Sequence, residues 1–281
     1  MTTQATAASA ARHYDTAPQI TAPGEQTWIT RGANFVVCVS RLAAGTVLAR
    51  PQQDDEYMVL TTDAAARIEA GDQHCNAAAQ TVTIVPPGAS RITAQGDGLV
   101  VRVFSCKATD LAARAGNATV YASGAPEVAP LVPWPDPVGG FALRNYVLAD
   151  HIKADTNMRI FRSTNLMLNI MTPRMVARDV HKLSPHQHAD FEQGSLALSG
   201  DWMHHLRHPW TADMTTWRDD EHIRIGSPSL TVIPPKVIHT SNNVNDGGAW
   251  LVDVFAPPRF DFSRVPGKVA NAEDYPMPEQ N

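Results

Sequence analysis

Cysteine is scarce in this chain, which has three: Cys38, Cys75 and Cys106. An odd number without close pairs excludes a disulfide framework and fits a reducing compartment. Long apolar runs are also missing, so no stretch qualifies as a membrane-spanning helix. Residues 1–12 lack the apolar core of a secretory signal, and a cytoplasmic protein is the expectation. Charge of one sign is not in excess. The formal net charge is -5, which points to neither nucleic acid nor an anionic membrane as partner. The absence of a helix-turn-helix pattern or basic extension argues against a DNA-binding regulator.

What is present is a series of short segments rich in β-branched residues and bounded by Gly, Pro or Asp: 34–40, 56–61, 81–85 and 99–104. Evenly spaced short strands predict an all-β barrel or sandwich. The segments recur. Thr83-Ile84-Val85-Pro86-Pro87 echoes Thr231-Val232-Ile233-Pro234-Pro235. Leu99-Val100-Val101-Arg102-Val103-Phe104 echoes Trp250-Leu251-Val252-Asp253-Val254-Phe255, and Asn34-Phe35-Val36-Val37 echoes Asn165-Leu166-Met167-Leu168. Two repeats of this length are too few and too long for a solenoid and imply two closed units in tandem. The expected organisation is an N-terminal arm at 1–30, a first barrel at 31–110, a linker at 111–143, a second barrel at 144–262 and an irregular tail at 263–281. Within the linker, Asp110 to Ala115 reads as one or two helical turns stopped by Gly116-Asn117. Prolines 126, 130, 133, 135 and 137 then exclude regular structure. With Trp134 among them, this segment is expected to pack along a barrel surface.

The chemistry concentrates in Pro185-His186-Gln187-His188-Ala189-Asp190-Phe191-Glu192 and in Pro234-Pro235-Lys236-Val237-Ile238-His239. Residues two apart on a strand share a face. His186 and His188 therefore point together, and Glu192, at even separation, rejoins them if the strand continues. Gln193 has the opposite parity and is expected off the metal. Imidazoles with a carboxylate form a mixed N/O set suited to a divalent transition metal.

His-x-His-x3-Glu followed by Pro-x4-His-x3-Asn, from Pro234 to Asn243, resembles the two motifs of the cupin superfamily. The resemblance implies an all-β fold of two tandem cupin barrels (double-stranded β-helix or jelly-roll), a bicupin. It further implies one metal held by His186, His188, Glu192 and His239. Two departures concern turns: no glycine precedes the first histidine, and Lys236 stands where glycine is common. The segment from Asp253 to Phe262 is similar to the ending of small cupins that act on unsaturated uronic acids from pectin and alginate.

The first copy differs at the chemistry. Aligning Glu56 with Glu192 puts Arg50 and Gln52 at the places of His186 and His188, and Arg91 at that of His239. Guanidinium groups cannot ligate a cation. The first barrel is therefore expected to be a metal-free structural partner, or to hold an Arg91–Glu56 ion pair where the metal would sit. Candidate substrate contacts in the second barrel are Gln193, His204, His205, Arg207 and Asn243. Asn243 alternatively hydrogen-bonds the following loop.

One divalent transition metal per chain (Fe, Mn, Ni or Zn) with open positions would chelate a small oxygenated acid or sugar acid and stabilise an enolate. The leading expectation is isomerase- or lyase-type Lewis-acid chemistry. The alternatives are a non-haem iron dioxygenase of an aromatic or diketone, and a non-catalytic small-molecule-binding bicupin. Barrel edges and faces predict a homodimer or larger homo-oligomer.

Overall fold

A computed structural model describes residues 6–279; the first five residues of the expected arm lie outside the described residues. The chain folds into two β-barrels, each made of one large and one small sheet. The first barrel pairs a seven-stranded with a four-stranded sheet, and the second a six-stranded with a three-stranded sheet. This is the tandem cupin architecture, and the two helices are short, Thr109–Arg114 and Phe260–Ser263. The first of them falls at the helical turns expected before Gly116. No helix of the described residues is long and apolar enough to cross a membrane.

The large sheets face each other, which explains why their strands read as continuous apolar runs. Along Phe35–Leu42, Phe35, Val37 and Val39 join a core shared with Leu196, Leu230, Val252 and Val254 of the second barrel. Val36, Cys38 and Leu42 point the other way, into the first barrel's own core. Both faces are buried, so period-two alternation of polarity is absent.

The barrels also exchange edge strands. Ser9–Arg12, ahead of the first barrel, pairs with Ser229–Ile233 of the second. Arg144–Val147, ahead of the second barrel, pairs with Thr81–Val85 of the first. Each arm thus covers an edge that would otherwise be open to another chain. The expected arm further gives Glu25–Arg31 to the first barrel's sheet. The proline-rich linker packs as expected: Trp134 is buried, and its backbone N–H donates to Thr164 O at 2.7 Å.

A glutamate from each barrel reaches into the other. Glu192 Oε1 accepts from the Tyr121 hydroxyl at 2.8 Å, and its Oε2 from the Ala33 N–H at 2.5 Å. Glu56 Oε1 accepts from the Tyr275 hydroxyl at 2.7 Å, and its Oε2 from the Thr164 N–H and hydroxyl at 3.2 and 3.0 Å. Ala33 and Thr164 are equivalent positions of the repeat. Tyr121 and Tyr275 each follow their own barrel, so the duplication extends into the linker and the tail. Gly32 is required here, because a Cβ would stand 2.6 Å from Glu192 Oε2.

This arrangement corrects two expectations about the first barrel. Glu56 makes no ion pair with Arg91, which is exposed. The strand register opposes Arg50 to Ser90, so Ser90 and not Arg91 occupies the place of His239.

Candidate metal centre

The backbone brings the two motif segments together directly. His186 N–H donates to His239 O at 3.0 Å, and His239 N–H to His186 O at 2.7 Å, an isolated antiparallel bridge. Lys236 takes φ +67°, the left-handed conformation that glycine provides at such turns, and its N–H donates to His188 O at 2.7 Å. The turn is therefore kept without the glycine. His186, His188 and His239 each offer one nitrogen to a cluster in which these atoms lie within 4.8 Å of one another. His186 is exposed at the mouth, while His188 and His239 are buried.

Glu192 is not in this cluster, which corrects its assignment as a ligand. The chain bends at Ala189 and Asp190, and the strand restarts only at Gln193. Parity counted through the bend fails. Glu192 turns to the other barrel, and Gln193 turns inward. Gln193 Oε1 lies 2.9 Å from His188 Nε2 and 3.3 Å from His239 Nε2. Its amide orientation is set from behind. Gln193 Nε2 donates to Asp253 Oδ1 at 3.1 Å and to Ser195 Oγ at 3.0 Å. A carboxylate only accepts, so the amide oxygen faces the histidines.

The donor chemistry fits a cation. His239 Nδ1 lies 2.9 Å from Val237 O and His186 Nδ1 3.0 Å from Ser184 O. Carbonyls only accept, so these nitrogens hold the protons and both Nε2 atoms present lone pairs. Burial lowers His239 to about 4 and His188 to about 3, so both are neutral at pH 7. The lone pair of His239 Nε2 then faces the amide oxygen of Gln193 with no proton between them. A divalent ion resolves that confrontation, and backbone carbonyls on the far nitrogens are the usual orienting partners of metal-ligating histidine.

The cluster opens into a cavity of about 220 Å³ whose lining includes His186, Gln193, His239, Asp253 and three arginines, Arg174, Arg178 and Arg259. Arg178 donates to Ser241 O at 2.7 Å and Ser184 Oγ at 2.9 Å, and Arg259 pairs with Asp261 at 2.6 Å while stacking 3.7 Å from the Phe262 centroid. The Arg174 guanidinium makes no hydrogen bond among the described residues. Asp253 is the one carboxyl among the lining side chains. Burial pushes it up to about 6, against the hydrogen bond from Asn169.

Of the expected substrate contacts, Gln193 alone lines this cavity. His204 is buried against Ser241 Oγ at 2.7 Å. His205 pairs with His222 at 2.7 Å and Asn242 at 3.0 Å, and Arg207 with Asp220. His205 and Arg207 belong to a separate depression of about 240 Å³. Asn243 donates to Val176 O and Asn245 O, the loop-holding role. Sequence reasoning missed the arginines and Asp253. Arg178 and Arg259 stand in stretches already read for turn and resemblance, but no spacing rule aims them at the histidines.

No protein-family model matches the chain, and no curated protein matches it. Solved structures do, with the same tandem-barrel architecture. An oxalate decarboxylase from Lactobacillus farciminis, in a formate complex, is 15% identical over 89% of this chain and 86% of that one, with a TM-score of 0.60. AerE from Microcystis aeruginosa is 10% identical over 84% and 94%, TM-score 0.54. A mutant of Bacillus subtilis oxalate decarboxylase is 14% identical over 92% and 81%, TM-score 0.58. At such identities the likeness is one of fold, a bicupin.

Proposed function

We propose that the chain is a metal-dependent enzyme acting on a small carboxylic acid in the second barrel. The observation that supports this most is the three-histidine cluster beside a cavity whose lining includes three arginines. His186, His188, His239 and the amide oxygen of Gln193 would hold the ion. When bound, it supplies Lewis acidity and a chelation point for substrate oxygens. Arg174, whose guanidinium has no hydrogen-bond partner among the described residues, binds the substrate carboxylate through its planar fork. Arg178 and Arg259 add positive potential and hold the walls. Asp253, poised near neutral pH, gives or takes a proton at its carboxyl oxygen, and this favours lyase or isomerase chemistry over oxygen activation. Several neighbours of the same fold are oxalate decarboxylases, and the Bacillus subtilis enzyme is described with Mn(II) centres. Manganese and a short dicarboxylate are accordingly the first pair to test, and other hydroxy and keto acids follow. The expected homo-oligomer is also a proposal, supported by exposed Met175, Val176, Trp210 and Met214.

Incubation of manganese-loaded protein with these acids, anaerobically and in air, tests the reading. Turnover without oxygen supports it. Tight binding of an acid with no turnover favours the binding-protein alternative, and turnover only with oxygen consumption favours the dioxygenase. For an accepted substrate, Arg174→Ala is expected to raise KM about 100-fold with little change in kcat, since a charge-assisted bidentate contact contributes ~3 kcal/mol. A KM within a factor of ~2 of wild type would show that Arg174 does not hold the substrate.

A further inference from the structure

Strand register matches the barrels position by position. Ser195 and Asn169 flank Asp253 in the second barrel, and Val59 and Cys38 flank Arg102 in the first. Gln193 opposes Ile233 as Tyr57 opposes Val85, and His186 opposes His239 as Arg50 opposes Ser90. Where the second barrel has Gln193, Asp253, His186 and His239, the first has Tyr57, Arg102, Arg50 and Ser90. The charge at the centre is inverted.

Arg102 is 6% exposed. It has no carboxylate within ion-pair distance among the described residues. Among the described residues its guanidinium makes one hydrogen bond, a long one from Nη2 to Ser40 Oγ at 3.5 Å, and its buried Nε has no partner. Ser40 cannot supply a negative charge. Its hydroxyl bonds Thr27 Oγ1 at 2.8 Å, which donates to Glu25 Oε1 at 2.7 Å, so the nearest carboxylate on that path is two hydroxyls away. Arg50 is different. Asp110 holds it at 2.5 and 2.8 Å, and Gln53 Oε1 accepts from its Nε at 3.0 Å. Both guanidinium groups lie beside the Phe104 ring, at 5.9 and 5.5 Å from its centroid. The Tyr57 and Ser90 hydroxyls, 2.8 Å apart, form the polar patch nearby.

An arginine stays charged at any working pH, and a buried charge without a partner is strongly unfavourable. We propose that the first barrel binds a small monovalent anion, a carboxylate or halide, against the Arg102 guanidinium. The duplicated barrel has thus become the opposite kind of site, with its cation built in and its anion recruited. This does not depend on metal or on the function of the second barrel.

Chelator-treated protein titrated with sodium formate and, separately, sodium bromide, at ionic strength fixed with a bulky sulfonate buffer, tests the site. The melting temperature is expected to rise by ~2 °C or more with each anion, and Arg102→Met is expected to abolish the rise. Methionine removes the charge without leaving a partner unpaired. A rise that persists in Arg102→Met, one that is lost only in Arg174→Ala, or no rise in wild type overturns the proposal. If Arg102→Met does not fold, bromide-soaked wild-type crystals decide: an anomalous peak within ~4 Å of the guanidinium supports the site, and water alone there refutes it.

Discussion

His239→Ala protein is expected to leave purification nearly free of metal, while Glu192→Gln protein keeps the full wild-type load. His239 contributes one of three converging imidazoles. Losing a ligand weakens binding by more than the ~10–100-fold typical of losing an orienting partner. Glu192 lies in the interface with both oxygens engaged by Ala33 and Tyr121. Gln193→Ala is expected to lower the metal content as His239→Ala does, because its Oε1 is the fourth atom facing the cluster. Elemental analysis of the three variants, with melting curves in chelator to show that each is folded, separates the two ligand sets. A Glu192→Gln protein that came out empty beside a loaded Gln193→Ala would return the site to the spacing expected from sequence.

The histidines were legible because each sits on extended backbone next to a proline-fixed turn, where parity is reliable. Glu192 was misread because parity needs an unbroken strand, and the bend at Ala189 and Asp190 is set by contacts that sequence does not display, among them the bond from Ala129 N–H to Asp190 O. Arg91 was misplaced for a related reason. Counting residues from Pro86-Pro87 ignores where the ladder begins, and the register opposes Arg50 to Ser90. The tandem barrels followed from repeated strands. The exchange of edge strands did not, because Ser9–Arg12 is short and half-polar and its partner lies far along the chain. Arg174 gave no signal at all. Its proposed role depends on a guanidinium without a hydrogen-bond partner among the described residues, which only three dimensions reveal.

The paired glutamates make the interface sensitive to pH, and Glu192 is expected to show the larger effect. Burial pushes its carboxyl up from 4.5 to about 7, against the hydrogen bonds from Ala33 and Tyr121. The folded state therefore holds a proton on Glu192 that the unfolded chain has already released above pH 4.5. The stability this gives is complete below about 4.5 and is lost as pH rises through 7. At ~1.36 kcal/mol per pH unit the loss approaches about 3 kcal/mol by pH 8. Buried histidines act in the opposite direction: His13, His188, His204 and His239 are all lowered by burial, and they cost stability as pH falls below 6.5. The wild-type curve mixes the two, but a difference between variants does not. Glutamine is the isostere of a protonated glutamate, with Oε1 to accept from Ala33 and Nε2 to donate to the Tyr121 oxygen. Metal-free wild type and Glu192→Gln should melt together at pH 5. By pH 8 the variant should melt about 4–6 °C higher, with the histidine contribution common to both. A flat difference from pH 5 to 8 would mean that Glu192 titrates in the folded protein as it does in the unfolded chain, and that the interface carboxyl is not held protonated.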